Sequence, residues 1–96
     1  MFVVFLRFSA NKAKAGPLMD GHNAWLRKGF DDGIFILAGS LKPAGGGAIL
    51  ALAPAREGLE ARLADDPFVA EDVVSVEINE IAPGFADQRL SFLKSC

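Results

Sequence analysis

The chain has 96 residues, 51% of them hydrophobic, and a formal net charge of −2. That length makes one domain with a core of its own, and that composition excludes a disordered chain. Ten basic residues are scattered among twelve acidic ones, so no nucleic-acid footprint is present.

The single cysteine, Cys96, ends the sequence, which leaves no internal disulfide to form. Met1–Arg7 is apolar but lacks a basic flank and is far too short to cross a bilayer. A cytoplasmic protein without membrane contact is expected. One histidine and one terminal cysteine give no metal-ligand spacing, so neither metal nor cofactor is expected.

Phe2–Phe8 reads as a strand, with Phe2, Val4, Leu6 and Phe8 pointing one way and Val3, Phe5 and Arg7 the other. Ser9–Gly16 reads as a polar loop. Pro17 suits a first helical turn, and the helix runs to about Asp31, closed by Gly33. Ile34–Gly39 and Ala48–Ala53 follow as strands two and three, joined through Pro43-Ala44-Gly45-Gly46-Gly47. Pro54 opens a second helix through Ala64, with Ala55, Leu59 and Leu63 inward. Pro67 disfavours helix at Asp66 and interrupts it. Val73–Ile81 is a fourth strand, and a tail with Phe85, Leu90, Phe92 and Leu93 is expected to pack on something.

The order β-α-β-β-α-β predicts an α+β ferredoxin-like fold, four antiparallel strands with two helices on one face. Such a sheet ordinarily shows polar residues on its open side. Strand one is apolar on both sides except at Arg7, and strands two and three carry few polar side chains. A second face of that kind would be a large exposed apolar patch, so a homodimer formed through it is expected.

Over Pro17–Asp31, at about 100° per residue, Leu18, His22, Trp25, Leu26, Gly29 and Phe30 share an arc, while Asp20, Asn23, Arg27 and Asp31 oppose it. His22 therefore lies in an apolar stripe, where a ring needs a partner. It is either a core histidine satisfied by backbone or carboxylate, or a general acid–base at the floor of a cleft. Asp65 and Asp66 either end a helix or supply that partner. Carboxylates at a helix C-terminus meet the unfavourable end of the dipole. Gly45-Gly46-Gly47 lacks the Lys-Ser/Thr of a phosphate loop and leads into a strand. Ser40 offers a hydroxyl to a ligand, with no Ser-His-Asp order behind it. Arg7 offers a cation to an anionic ligand or sits in solvent.

His22-Asn23-Ala24-Trp25-Leu26, Gly33–Ser40, Gly46–Ala51 and Leu63-Ala64-Asp65-Asp66-Pro67-Phe68 together resemble the YCII-related family over nearly the whole chain. The resemblance implies a single such domain over 1–96, dimerising sheet to sheet as in the dimeric α+β barrel group. It also implies an active site on His22 and Asp66, with Ser40 and, more weakly, Arg7 as substrate-binding residues. The chemistry implied is cofactor-independent, of lyase, isomerase or dehydrochlorinase type, on a small aromatic or cyclic anionic molecule. The alternative is a non-catalytic ligand-binding or accessory domain.

Overall fold

The computed structural model describes residues 1–95; Cys96 lies outside them. The elements are β1 (Phe2–Phe8), α1 (Ala15–Asp31), β2 (Phe35–Leu41), β3 (Gly46–Ala51), α2 (Arg56–Ala64), α3 (Pro67–Ala70) and β4 (Val74–Glu80). Short 3-10 segments occupy Lys12–Lys14 and Gln88–Ser95. One antiparallel sheet has the order β2-β3-β1-β4, the ferredoxin-like arrangement expected from the element order.

β1 is a central strand, and its alternation sets the layers. Phe2, Val4 and Leu6 are buried, and their cross-strand partners include Ala51 and Ile49 on β3. The helices close over this side through Trp25 of α1, Leu59 and Leu63 of α2, and Phe68 of α3. α1 ends as its sequence demands: Gly33 takes φ +73°, and its N–H and that of Ile34 donate to Phe30 and Gly29 carbonyls. That is the Schellman geometry, which favours glycine at this position. Gly29 is the point of closest approach, since a Cβ there would stand 2.1 Å from the Phe35 ring.

Several boundaries differ from the expectation. A 3-10 turn occupies Lys12–Lys14 in the stretch read as loop, and α1 begins two residues ahead of Pro17. Both glycine-flanked strands shift, so that Ser40 lies inside β2 and Gly46 opens β3. Gly46 adopts φ +112°, and a Cβ there would meet the Leu6 carbonyl oxygen at 2.0 Å; only glycine fits. α2 starts at Arg56, leaving Ala55 as an exposed, extended N-cap, not an inward residue. Among the described tail residues Leu93 is buried, while Phe85, Leu90 and Phe92 are exposed.

The register places Val3 and Phe5 of β1, Leu37 and Leu41 of β2, and Ala48 and Leu50 of β3 on the side away from the helices. Leu37 is 53% exposed and the other five are partly covered. Arg7 and the β4 residues Ser75, Glu77 and Asn79 bring polar groups to the same face. No helix among the described residues is long and apolar enough to cross a membrane.

Candidate active site

α1 carries two overlapping stripes. Leu18, His22, Trp25 and Gly29 face the core, whereas Met19, His22, Asn23 and Leu26 line a cleft beside it. Both sets follow the i, i+3/i+4, i+7 spacing of one helix face, and His22 is their shared member. The ring thus has one side in the packed interior and one side at an opening; its side chain is 14% exposed.

The inner side meets Asp66. His22 Nδ1 and Asp66 Oδ1 are 2.8 Å apart, and the aspartate is fully buried. A carboxylate can only accept, so opposite an ionised Asp66 the hydrogen is on Nδ1, and the neutral ring in that tautomer has its lone pair on Nε2. Nε2 makes no hydrogen bond among the described residues. The same Oδ1 accepts from the Phe68 N–H at 3.0 Å.

That second bond corrects the reading of Asp66 as a helix C-terminal carboxylate. Asp65 caps the end of α2, but Asp66 is the N-cap of α3, with Pro67 at the first position. The residue preceding a proline is driven to extended backbone, and Asp66 takes φ −68°, ψ 125°. Its carboxylate then satisfies an otherwise orphaned helical N–H. The break that stops α2 is therefore what aims the carboxylate at His22. Asp66 Oδ2 is buried without a hydrogen-bond partner among the described residues.

Phe68 lies on the histidine. The two rings are 4.0 Å apart and 6° from parallel. Trp25 flanks the imidazole at 5.8 Å and donates its Nε1–H to the Arg62 carbonyl at 2.9 Å. Arg62 and Lys28 both pair with Asp32, which ties the C-terminal ends of α1 and α2 together. These hydrogen bonds, Lys28 first and Arg62 next, hold the Asp32 carboxyl below the usual carboxylate range.

The cleft encloses about 270 Å³ between α1, the Phe68 ring and the ends of β1, β2 and β3. Leu6, Phe8, Met19, Leu26 and Ile49 supply apolar wall, and His22, Asn23 and Ser40 supply polar side chains. Ser40 thus joins His22 at the cleft. Arg7 does not: it projects from the opposite face of the sheet and pairs with Glu77. Hydrogen bonds from Asn79 and then Arg7 hold the Glu77 carboxyl below its ordinary value. No cluster of metal-ligating side chains occurs among the described residues.

Asn23 and Phe68 were not singled out by sequence. Asn23 falls opposite the core stripe, and only the second stripe, 19-22-23-26, marks it. Phe68 stands in the Asp-Pro-Phe run, but nothing in sequence shows a ring stacked on a histidine 46 positions away.

Among curated proteins no significant match to this sequence is found. The fold is similar to that of 5-chloro-2-hydroxyhydroquinone dehydrochlorinase from Burkholderia phenoliruptrix, solved in complex with 2,5-dihydroxybenzoquinone. The TM-score is 0.70 at 14% identity, over 88% of this chain and 96% of that one. The model of the YCII-related domain matches residues 1–82, and the chain belongs to the YCII-related family.

Proposed function

We propose that this protein is a small-molecule enzyme in which His22 transfers protons through Nε2 while Asp66 holds the ring. The observation that carries the reading is the 2.8 Å contact between Nδ1 and a fully buried carboxylate, made by a histidine that lines an apolar cleft. A carboxylate on one imidazole nitrogen fixes the tautomer and stabilises the imidazolium formed when the other accepts a proton. The proton step needs no group beyond these two side chains. A positioned base of this kind contributes roughly 10²–10⁴ in rate.

The reaction class is elimination or isomerisation. His22 takes a proton from a hydroxyl or ring carbon, and the freed electron pair forms a new double bond. Either an anionic leaving group departs, or the proton returns at another carbon. The dehydrochlorinase of similar fold makes loss of HCl from a chlorinated trihydroxybenzene the first reaction to assay. Chloride release from 5-chloro-2-hydroxyhydroquinone is the test. It is expected with the native protein and is abolished in His22→Ala with binding retained. Binding without chloride release by the native protein would favour the ligand-binding alternative; unchanged release in His22→Ala would refute the base assignment.

We also propose that two copies associate through the open sheet face. Support comes from the apolar set Val3, Phe5, Leu37, Leu41 and Leu50 on a face with no helix over it. A contiguous patch of that kind marks an interaction surface.

A further inference from the structure

The cleft's polar groups are all neutral apart from the dyad. None of the residues lining it is lysine or arginine. Arg7, the cation placed nearest by sequence, is on the other face and engaged with Glu77. Lys12 is the cation at the rim, its ammonium 5.1 Å from the centre of the Phe8 ring. The buried Asp66 carboxylate lies behind the histidine, so an anion entering the cleft would be desolvated on the acidic side of the site with no counter-charge in the wall. Desolvating an unpaired charge is strongly unfavourable.

Asn23 and Ser40 supply a different chemistry. An amide presents two donors and an acceptor, and a hydroxyl presents one donor with acceptor capacity. Neither side chain has a hydrogen-bond partner among the described residues, and both stand at the cleft that holds His22. The Phe68 ring, stacked on His22, adds aromatic wall to the same cleft, a surface suited to an aromatic ligand. A volume of about 270 Å³ is at or below the small end for ligand pockets, the size for one substituted ring.

We infer that the cleft selects an uncharged single-ring molecule bearing hydroxyl or carbonyl groups, with Asn23 and Ser40 setting which edge of the ring faces His22. The inference rests on reading this cleft as the ligand site, and it replaces the anionic ligand expected from sequence. Asn23 is then a specificity residue: it holds a neutral oxygen and provides nothing for a carboxylate.

Resorcinol and 3-hydroxybenzoate test it, because they differ by one hydroxyl exchanged for a carboxylate. Binding is read from Trp25 fluorescence, the only tryptophan in the chain, and from the Asn23 side-chain amide signals in NMR. Resorcinol is expected to bind about tenfold or more tightly than 3-hydroxybenzoate, as a site lacking a counter-charge requires. Asn23→Leu and Ser40→Ala are each expected to weaken resorcinol about fivefold or more, as loss of a partner for a ligand hydroxyl does. Asn23→Lys should reverse the preference. Equal or tighter binding of 3-hydroxybenzoate by the native protein overturns the inference, and so does carboxylate binding that Lys12→Ala removes. Failure of both rings to bind at millimolar concentration, or indifference of resorcinol to both polar-to-apolar changes, also overturns it. Each variant is first checked for a native thermal transition. Equilibrium binding is independent of turnover, so failure here leaves the proton-transfer reading intact, and failure of chloride release leaves this one intact.

Discussion

Replacing Asp66 by asparagine or by alanine separates two tasks that one side chain performs. Its Oδ1 accepts from both the Phe68 N–H and His22 Nδ1. Asparagine caps a helix about as well as aspartate, whereas alanine costs about 1 kcal/mol. An asparagine carbonyl oxygen in the Oδ1 position keeps both bonds. Its NH₂ then takes the place of Oδ2, which already lacks a hydrogen-bond partner among the described residues, so one unsatisfied buried polar group replaces another. The expected stability change for Asp66→Asn is within about 1 kcal/mol of zero. Alanine loses the cap and the bond to the imidazole and leaves the Phe68 N–H unpaired. Relief of the burial of Oδ2 offsets part of that, and the expected net loss is about 1–3 kcal/mol.

Activity should follow the opposite logic. Both variants remove the negative charge that stabilises the imidazolium, so turnover falls in both, by roughly 10²–10⁴. Urea unfolding followed by Trp25 fluorescence measures the first quantity. With a slope of about 1–3 kcal/mol per molar urea, the alanine midpoint should fall by roughly 0.3–3 M, and the asparagine midpoint should move by less than the alanine one, at most about 1 M in either direction. Nitrogen-15 shifts of the only histidine ring should report hydrogen on Nδ1 in the native and asparagine proteins alike. An asparagine variant that unfolds as readily as the alanine one, or that turns over at the native rate, would refute the argument.

Gly29→Ala should lower stability by about 1–2 kcal/mol: helix propensity favours alanine by about 1 kcal/mol, but overpacking costs more. Phe35 cannot retreat, being 2% exposed and packed edge-on against Trp25 and Phe30; a raised urea midpoint would contradict this. Gly46→Ala should be at least as damaging by the same measurement, since it combines positive φ with overlap on the Leu6 carbonyl oxygen. Light scattering at micromolar concentration should give twice the monomer mass, and Leu37→Glu on the open face should return it to monomer; a native monomer would sink the dimer. Glu77 has a folded pKa depressed below its unfolded value, so its contribution is present above the unfolded value and lost as pH falls through the lowered one. The stability difference between the native protein and Glu77→Gln, measured near neutrality, should shrink on acidification; a difference that grows would have the wrong sign.

The topology was legible because its signals are local and redundant. β1 alternates with period two, α1 carries a clean apolar stripe, and Gly33 sits where a Schellman turn needs it. Element edges were less so at glycine, where propensity alone argues against strand; Gly46 and Gly47 enter β3 because cross-strand pairing with Leu6 and Arg7 outweighs it. The partnership of His22 and Asp66 could be named from the family resemblance, but the spacing of 44 positions says nothing about contact. What brings them together is a capping geometry, and Asp-Pro is the standard sign of one: a capping side chain followed by the one residue suited to the first helical position. Reading Asp66 as the end of α2 hid the start of α3, since a four-residue helix has too little periodicity to announce itself.

Asn23 lines the cleft and Arg7 does not, and the geometry of helix and strand accounts for both placements. A single hydrophobic arc treats a helix as having one inside and one outside. α1 has a third environment, the flank where it overhangs the strand ends, and residues there serve neither the core nor bulk solvent. Asn23 is four residues after Met19 and three before Leu26, so the helix itself holds all three beside His22. Arg7 follows Leu6, and strand alternation sends adjacent side chains to opposite faces; Leu6 lines the cleft, so Arg7 in the same subunit is directed away from it. The sheet thus assigns the lone basic residue of its central strand to the open face and leaves the cleft to neutral hydrogen-bonding groups. The absence of Arg7 from the cleft wall, one of the observations behind the proposed preference for an uncharged ligand, is in this way a consequence of register. A one-residue slip of β1 would turn Arg7 toward the cleft only by expelling Val4 and Leu6 from the core, so the packing of the fold itself keeps that guanidinium out of the cleft.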